Sequence, residues 1–310
     1  MSTNTRSEIS TVEIHMCSKN PWHVPMGVWT EAPSIIKERY AFREDIMQSL
    51  ALETPSFGGK PNLWILRLQD TTTNDFKVLK IMVRSSELDF YQLLGQFHTK
   101  SKYLLYADLL HRGDVYDYIL VPYHKLTLFD LVIKEKKLTL ERSMRFMEQL
   151  AEATNIINMC GYVHCDIKPE NILVNTNEDS IILFDFGSVA ELKRTGDIAR
   201  AGSAQYVPPE YYSSNTPLTY NYDIWSIGVT FFVCLYGQPP VMIKDIRERK
   251  LCIYWPSLSI SHRQANTLIT QMMRIQSVRR ITLQIFLIEL RKQIDDYNIT
   301  NSSQIDESNN

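Results

Sequence analysis

His164-Cys165-Asp166-Ile167-Lys168-Pro169-Glu170-Asn171 lies between a helix stop at Gly161 and a short apolar run, Asn171 to Val174; Asp185-Phe186-Gly187 closes a second apolar run, Ile181 to Phe184. A rigid loop between helix and strand presents a carboxylate (Asp166), an ammonium (Lys168) and a carboxamide (Asn171) in one direction. Phosphoryl transfer needs these groups: a base for a hydroxyl proton, a cation on the migrating phosphate and a neutral oxygen ligand for Mg²⁺. The Asp185 carboxylate is a hard oxygen ligand of the kind Mg²⁺ prefers, and Gly187 lets the backbone turn away from it. The two apolar runs form a hairpin, so Asn171 and Asp185 can meet at one metal site.

Upstream of this loop, Met144, Met147, Leu150, Ala151, Thr154 and Ile157 trace one helical face that can begin at a Thr139 cap and end at Gly161. Downstream, Tyr222 to Leu235, Ser261 to Arg274 and Leu283 to Gln293 read as helices. The first 120 residues read differently. Leu63, Ile65, Leu66 and Leu68, a polar turn at Asp70 to Asp75, and Phe76 to Val83 make a hairpin; Ser86 to Phe97 is helical; Tyr103 to Leu110 and Tyr116 to Pro122 are strand candidates joined at Arg112-Gly-Asp114. The fold class is therefore α+β, a small β-rich lobe followed by a larger, mostly α lobe, with the change near Tyr123. The expected organisation is an N-terminal extension, partly disordered, over 1–33, an N-lobe over 34–123, a C-lobe over 124–294 and a disordered tail over 295–310.

In motif order and spacing, the chain resembles the eukaryotic protein kinase family. The catalytic loop H-x-D-x-K-P-E-N and Asp185-Phe-Gly carry the resemblance, with three companions. Gly202-Ser203 through Pro209-Glu210 resembles the substrate-seating segment that ends in Ala-Pro-Glu. Asp223-Ile-Trp225-Ser226-Ile-Gly228 looks like the start of the long buried helix, where Asp223 would cap the backbone of the catalytic loop, and Arg280 is similar to the arginine that pairs with Glu210. The likeness runs from about Ser56 to Arg291 and implies a bilobal fold with ATP and Mg²⁺ between the lobes. It makes Asp166, Lys168 and Asn171 catalytic and Asn171 and Asp185 metal ligands. It places Ser203 in hydrogen-bond reach of Asp166 and Lys168, and Lys168 favours Ser/Thr over Tyr acceptors.

In the N-lobe, Phe76-Lys77-Val78-Leu79-Lys80 resembles the strand whose lysine grips the α and β phosphates. Lys80 is the choice over Lys77 because it shares strand parity with Phe76, Val78 and Met82. Its partner acid should come from the following helix. Glu87 and Asp89 are the candidates, with Asp89 carried in the cofactor-binding set. Counting back from Lys80 puts the pocket-lining aliphatic at Ile65 and the phosphate-covering loop at Gly58-Gly59-Lys60, where only the first glycine of G-x-G-x-x-G matches. Val121 falls at the gatekeeper position, Tyr123-His124 at the backbone that would bond adenine and Leu173 at the pocket floor. Cys165 replaces the arginine that pairs with an activation-loop phosphate in many of these enzymes, which makes switching by loop phosphorylation less expected. The nine residues from Lys80 to Asp89 resemble the short lysine-to-helix connection of spindle-checkpoint kinases, although Asp185-Phe-Gly and Pro208-Pro-Glu are conventional.

Composition narrows the choices. Thirty-three Lys plus Arg against 35 Asp plus Glu leave a net charge of −2 and no reason to expect nucleic-acid binding. Five widely spaced cysteines without a C-x-x-C pair argue against a disulfide framework or zinc site and for a reducing, intracellular compartment, cytoplasm or nucleus. No stretch has the clean apolar span of a membrane helix or a secretory signal. Glycine, 11 in 310 residues, is at about half its usual 7% frequency, so a glycine-built loop would stand out.

Bland readings also fit some motif members: His164 as a loop-supporting core residue, Cys160 and Cys165 as inert buried thiols, and Arg279-Arg280 as a solvated pair. The leading functional expectation is an ATP-dependent serine/threonine kinase acting on protein substrates, with a regulatory partner able to engage the N-terminal extension. One alternative is a pseudokinase scaffold, motivated by the glycine-poor loop. The other is a phosphotransferase of the aminoglycoside-kinase type, which would share Asp166, Asn171 and Asp185 but not Lys168, Pro208-Pro-Glu or Asp223-x-Trp-Ser-x-Gly.

Overall fold

Strict alternation along three strands divides the first lobe into two faces. A computed structural model of the chain describes residues 26–42, 63–192, 202–212, 217–240 and 262–308. Its N-lobe sheet contains β1 (Tyr40–Phe42), β2 (Leu63–Asp70), β3 (Phe76–Val83), β4 (Leu109–Arg112) and β5 (Tyr116–Pro122) in the order β1-β2-β3-β5-β4, all pairs antiparallel. Leu66, Leu68, Leu79, Ile81, Tyr118 and Leu120 point to one side; Val78, Met82, Ile119 and Val121 belong to the core on the other.

Two short helices, α1 (Met26–Glu31) and α2 (Ser34–Arg39), cover the first side through Val28, Ala32 and Ile36. Neither would form alone at this length. Burying Val28 and Ile36 contributes about 1.5–3 kcal/mol each, and the Tyr118 hydroxyl donates to the Val28 carbonyl. The boundary expected between 33 and 34 thus falls inside a helical pair that belongs to the lobe.

On the other side lies α3 (Ser86–Gln96), entered through a Ser85 cap whose hydroxyl accepts from Glu87 N–H, with Leu88, Phe90, Tyr91 and Leu94 buried. The expected strand at Tyr103 to Leu110 is shorter and later, only Leu109–Arg112. Leu104 and Leu105 are both buried rather than alternating, and they join the C-lobe: Leu105 N–H donates to the Leu183 carbonyl and Leu183 N–H to Tyr103.

The C-lobe follows the sequence pattern closely. It comprises α4 (Leu128–Glu135), α5 (Leu140–Met159), β6 (Tyr162–Val163), β7 (Ile172–Asn175), β8 (Ser180–Leu183), β9 (Ala190–Glu191), α6 (Asn221–Tyr236), α7 (Arg263–Met272) and α8 (Leu283–Ser308). Thr139 caps α5, and Gly161 follows it at φ +85°. α6 is the lobe's axis, buried from Tyr222 to Leu235, which is why its sequence is apolar on every side. The tail expected to be disordered from 295 continues α8 to Ser308, since no glycine or proline interrupts the chain after Leu283. None of the helices is long and apolar enough to cross a membrane among the described residues.

Candidate active site

The lower half of the site is one loop held from behind. Asp223, fully buried in the first turn of α6, accepts from His164 N–H at 2.8 Å and from Cys165 N–H at 3.0 Å. Burial pushes its carboxyl pKa up, opposed by His164 and the two backbone donors. It braces the loop rather than capping its own helix, as the resemblance implies. Cys165 takes φ +66°, a conformation costly for a residue with a side chain, and these two hydrogen bonds help to hold it there. Its thiol is buried, and its pKa is well above the usual range through burial and the nearby Asp223 and Asp166 carboxylates. His164 is buried in a supporting place: Nδ1 accepts from Asp166 N–H at 3.3 Å, which leaves Nε2 to donate to the Phe184 carbonyl at 3.2 Å.

Four polar side chains then close on one another. Asp166 Oδ1 accepts from Ser203 N–H (2.9 Å) and Ser203 Oγ (3.0 Å), while Oδ2 accepts from Lys168 Nζ (2.9 Å) and Asn171 Nδ2 (2.9 Å). Lys168 also donates to Ser203 Oγ at 2.6 Å, and Asn171 Nδ2 to the Asp166 carbonyl at 2.8 Å. Gly202 makes this approach possible. At φ +126° its missing Cβ would lie 2.7 Å from the Cys165 carbonyl, so only glycine lets the segment bearing Ser203 reach the loop. That segment is anchored at its far end by Glu210, whose two oxygens meet Arg280 at 2.5 and 2.6 Å; Arg280 is inaccessible to solvent and also donates to the Arg274 and Asn221 carbonyls. Arg280 is therefore not a solvated surface residue.

The upper half is assembled from three elements. Lys80 Nζ donates to both oxygens of Glu87, at 2.8 and 2.7 Å, and to Asp185 Oδ1 at 2.9 Å. Burial works against its charge, but Asp185 and Glu87 outweigh it and raise the lysine pKa, so it remains an ammonium. The same attraction to Lys80 overcomes burial and holds the Asp185 carboxyl down at about 2. Asp185 sits at φ +61°, ψ 77°, and Phe186 behind it packs on Phe90, Tyr91 and His164.

Asp89 does not face Lys80, which corrects its inclusion in the nucleotide set. It is largely exposed and pairs with Arg112 at 2.8 Å. The reason is angular. α3 starts just after β3 ends, so its first turn faces the sheet, and two residues beyond Glu87 is about 200° around the helix. Lys77, on the opposite parity, pairs with Asp108.

Ile65 lies directly opposite Lys80 in the β2–β3 register, and Val78 opposite Val121 in β3–β5; Val121 and, on β7, Leu173 are buried. At the hinge, Tyr123 N–H donates to the Phe76 carbonyl (3.2 Å), so of the Tyr123-His124 pair His124 is the one whose N–H has no acceptor among the described residues. Sequence reasoning missed Arg67, whose guanidinium lies 4.1 Å from the Phe76 ring centre and 4.2 Å from that of Tyr123, and the Arg112–Asp117 pair. A lone acid inside the apolar β5 run was the available signal for Asp117. Gly58 and Gly59 lie outside the described residues.

The donor set suits a hard divalent cation. Asn171 spends its amide nitrogen on Asp166, leaving Oδ1 as an acceptor, and Asp185 is ionised. Among the described residues no cluster of three His, Cys, Asp or Glu side chains could hold a metal alone. One carboxylate and one carboxamide fit a cation that shares its ligands with phosphate oxygens and water.

A buried helix bracing an Asp-Lys-Asn loop beneath a sheet that supplies a paired lysine defines a two-lobed, kinase-like fold. The protein kinase domain matches residues 69–289, well over half the chain, and the chain belongs to that family, whose members use ATP with a divalent metal. It is similar to the "Aurora kinase" of Yarrowia lipolytica (30% identity, 48% of this chain, 36% of that protein) and to maternal embryonic leucine zipper kinase of Xenopus laevis (32%, 50% and 25%). It also resembles serine/threonine-protein kinase pim-2 of Danio rerio (35%, 40% and 41%). The chain thus spans less than half the length of each of these relatives.

Proposed function

We propose that the protein is an ATP-dependent serine/threonine kinase acting on protein substrates, with Mg²⁺ as the metal. The observation that carries this reading is the simultaneous closure of both halves: Lys80 on Glu87 and Asp185 above, and Asp166 on Lys168, Asn171 and Ser203 below. Nothing in that geometry favours a scaffold in place of an enzyme.

In this reading Lys80 holds the α and β phosphates, with Ile65, Val121 and Leu173 around the base and the hinge backbone at Tyr123-His124 along its edge. Asn171 Oδ1 and Asp185 would hold Mg²⁺, which when bound offsets phosphate charge. Asp166 orients the acceptor hydroxyl and takes its proton. Its oxygens already accept four hydrogen bonds, so the substrate hydroxyl displaces one, the Ser203 hydroxyl contact being the longest at 3.0 Å. Lys168 then stabilises charge on the transferred group. The free thiols of Cys160, Cys165 and Cys234 support a reducing, intracellular setting. A regulatory partner on the N-terminal extension would reach the site through α1 and α2.

The test is incubation of the full chain with γ-labelled ATP, Mg²⁺ and generic Ser/Thr substrates beside Asp185→Asn. Label should enter substrate with the native chain and fall at least about a thousandfold in the variant. Absence of label from both substrate and enzyme under Mg²⁺ and Mn²⁺ would reject the reading.

A further inference from the structure

Glu87 can pair with Lys80 only while α3 keeps its position, and a set of contacts around Arg112 holds its first turn. Arg112, the last residue of β4, reaches across to the start of α3. Its Nε and Nη2 meet the two oxygens of Asp117 at 2.9 and 3.1 Å, Nη1 meets Asp89 on α3 at 2.8 Å, and Nη2 also donates to the Ser85 carbonyl at 3.2 Å. Asp117 is completely buried, and its Oδ2 accepts from the N–H of Ser85, the residue that caps α3. One guanidinium therefore ties β5, the cap and the first turn of the helix together, two residues from Glu87.

The turn that carries Arg112 is held from its other side. Glu31, at the end of α1, accepts from Val115 N–H at 2.9 Å and Tyr116 N–H at 3.1 Å, and Arg84 N–H donates to the Val115 carbonyl. Gly113 is packed so closely that a Cβ there would come within 2.5 Å of the Glu31 carboxylate. The links run from α1 through Glu31, the β4–β5 turn, Arg112 and Asp89 to the turn bearing Glu87.

Taking the proposed kinase activity as its basis, we propose that Arg112 is a positioning residue that holds α3 in the geometry for catalysis, with Glu31 of the N-terminal helix as its backstop. The body of the helix packs on Tyr162 and Phe186 through Phe90 and Tyr91, and Arg112 fixes its first turn from inside the lobe. Cys165, buried and neutral, brings no cation near the loop that could recruit a phosphate to do the same work.

The test is a double-mutant cycle on the full chain. Arg112→Gln should lower kcat about tenfold with the peptide KM within about twofold, Arg112→Lys should recover part of it, and Glu31→Gln should give a smaller fall in the same direction. In a Glu87→Gln background, adding Arg112→Gln should change kcat less than about twofold, because the interaction it protects is already gone. A kcat within about twofold of native for Arg112→Gln, or a further tenfold loss in the Glu87→Gln background, overturns the proposal. If Arg112→Gln melts the whole chain, Asp89→Asn decides: its partner site is exposed, and the expected result is about a threefold fall in kcat that vanishes with Glu87→Gln, while no fall rejects the idea. Amide exchange separates this from failure of the kinase reading. Residues 86–96 should exchange faster in Arg112→Gln with α6 unchanged, whether or not the native chain transfers phosphate; equal exchange overturns the positioning role.

Discussion

The two halves of the site are built in opposite ways. The floor comes from one short segment, His164 to Asn171, with Ser203 brought in over a glycine, and its braces are buried: Asp223 is inaccessible, and so is the Arg280 side chain that anchors Glu210. The roof takes Lys80 from β3, Glu87 from α3 and Ile65 from β2, and its brace runs through Asp89 and Arg112, both substantially solvated. A brace between buried groups is coupled to the stability of the whole lobe, whereas the solvated Arg112–Asp89 link fixes position at little cost to stability if removed.

The largest effects should come from the reacting groups themselves, and they compare floor with roof directly. Asp166→Asn removes the proposed base and is expected to lower kcat about a thousandfold or more with an unchanged melting temperature. Lys80→Met should cost on the order of a hundredfold, while Lys77→Met, three residues away on the other face, should stay within about twofold. Comparable losses at Lys77 and Lys80 would mean that the sheet parity assigned to the roof is wrong.

An intermediate effect should separate the braces. Arg280→Met leaves the Glu210 carboxylate without its bidentate partner in a largely buried place, which should destabilise the chain by about 3 kcal/mol in urea unfolding at neutral pH. Asp89→Asn, which breaks the solvated Arg112–Asp89 link and leaves the buried Asp117 paired, should cost less than about 1 kcal/mol while costing more activity than any substitution on the outer surface. Equal stability losses for the two would remove the distinction between a buried floor brace and a solvated roof brace.

The contrast also explains what could be read from the sequence. The floor was legible because its chemistry is contiguous: Asp166, Lys168 and Asn171 share one short loop, and the Thr139 cap and Gly161 stop bound the preceding helix. The roof is legible only by strand parity, which separates Lys80 from Lys77 but says nothing about helix angle and so leaves both Glu87 and Asp89 as candidates for the lysine's partner. Leu104-Leu105 read as strand because apolar runs look alike whether they enter a sheet or bridge two lobes. α1 and α2 were hidden because six-residue helices owe their existence to the face they cover, which no local pattern announces.

The smallest expected effect concerns what the roof does not need. In many relatives by resemblance, an arginine before the catalytic aspartate binds an activation-loop phosphate. Here Cys165 occupies that place, buried and with its thiol pKa raised by burial and neighbouring carboxylates, so it is neutral across the physiological range. Meanwhile Glu87 already meets Lys80 at 2.7 Å, with the first turn of α3 held by Arg112 and its body packed on Phe186. Exhaustive phosphatase treatment of the purified chain should therefore change kcat by less than about twofold. The same treatment applied to Arg112→Gln should also leave its reduced activity unchanged, because a loop phosphate would have no cation at position 165 through which to restore α3. A large fall in the native chain after phosphatase would show that a modified residue, and not the Arg112 staple alone, holds the roof over the floor.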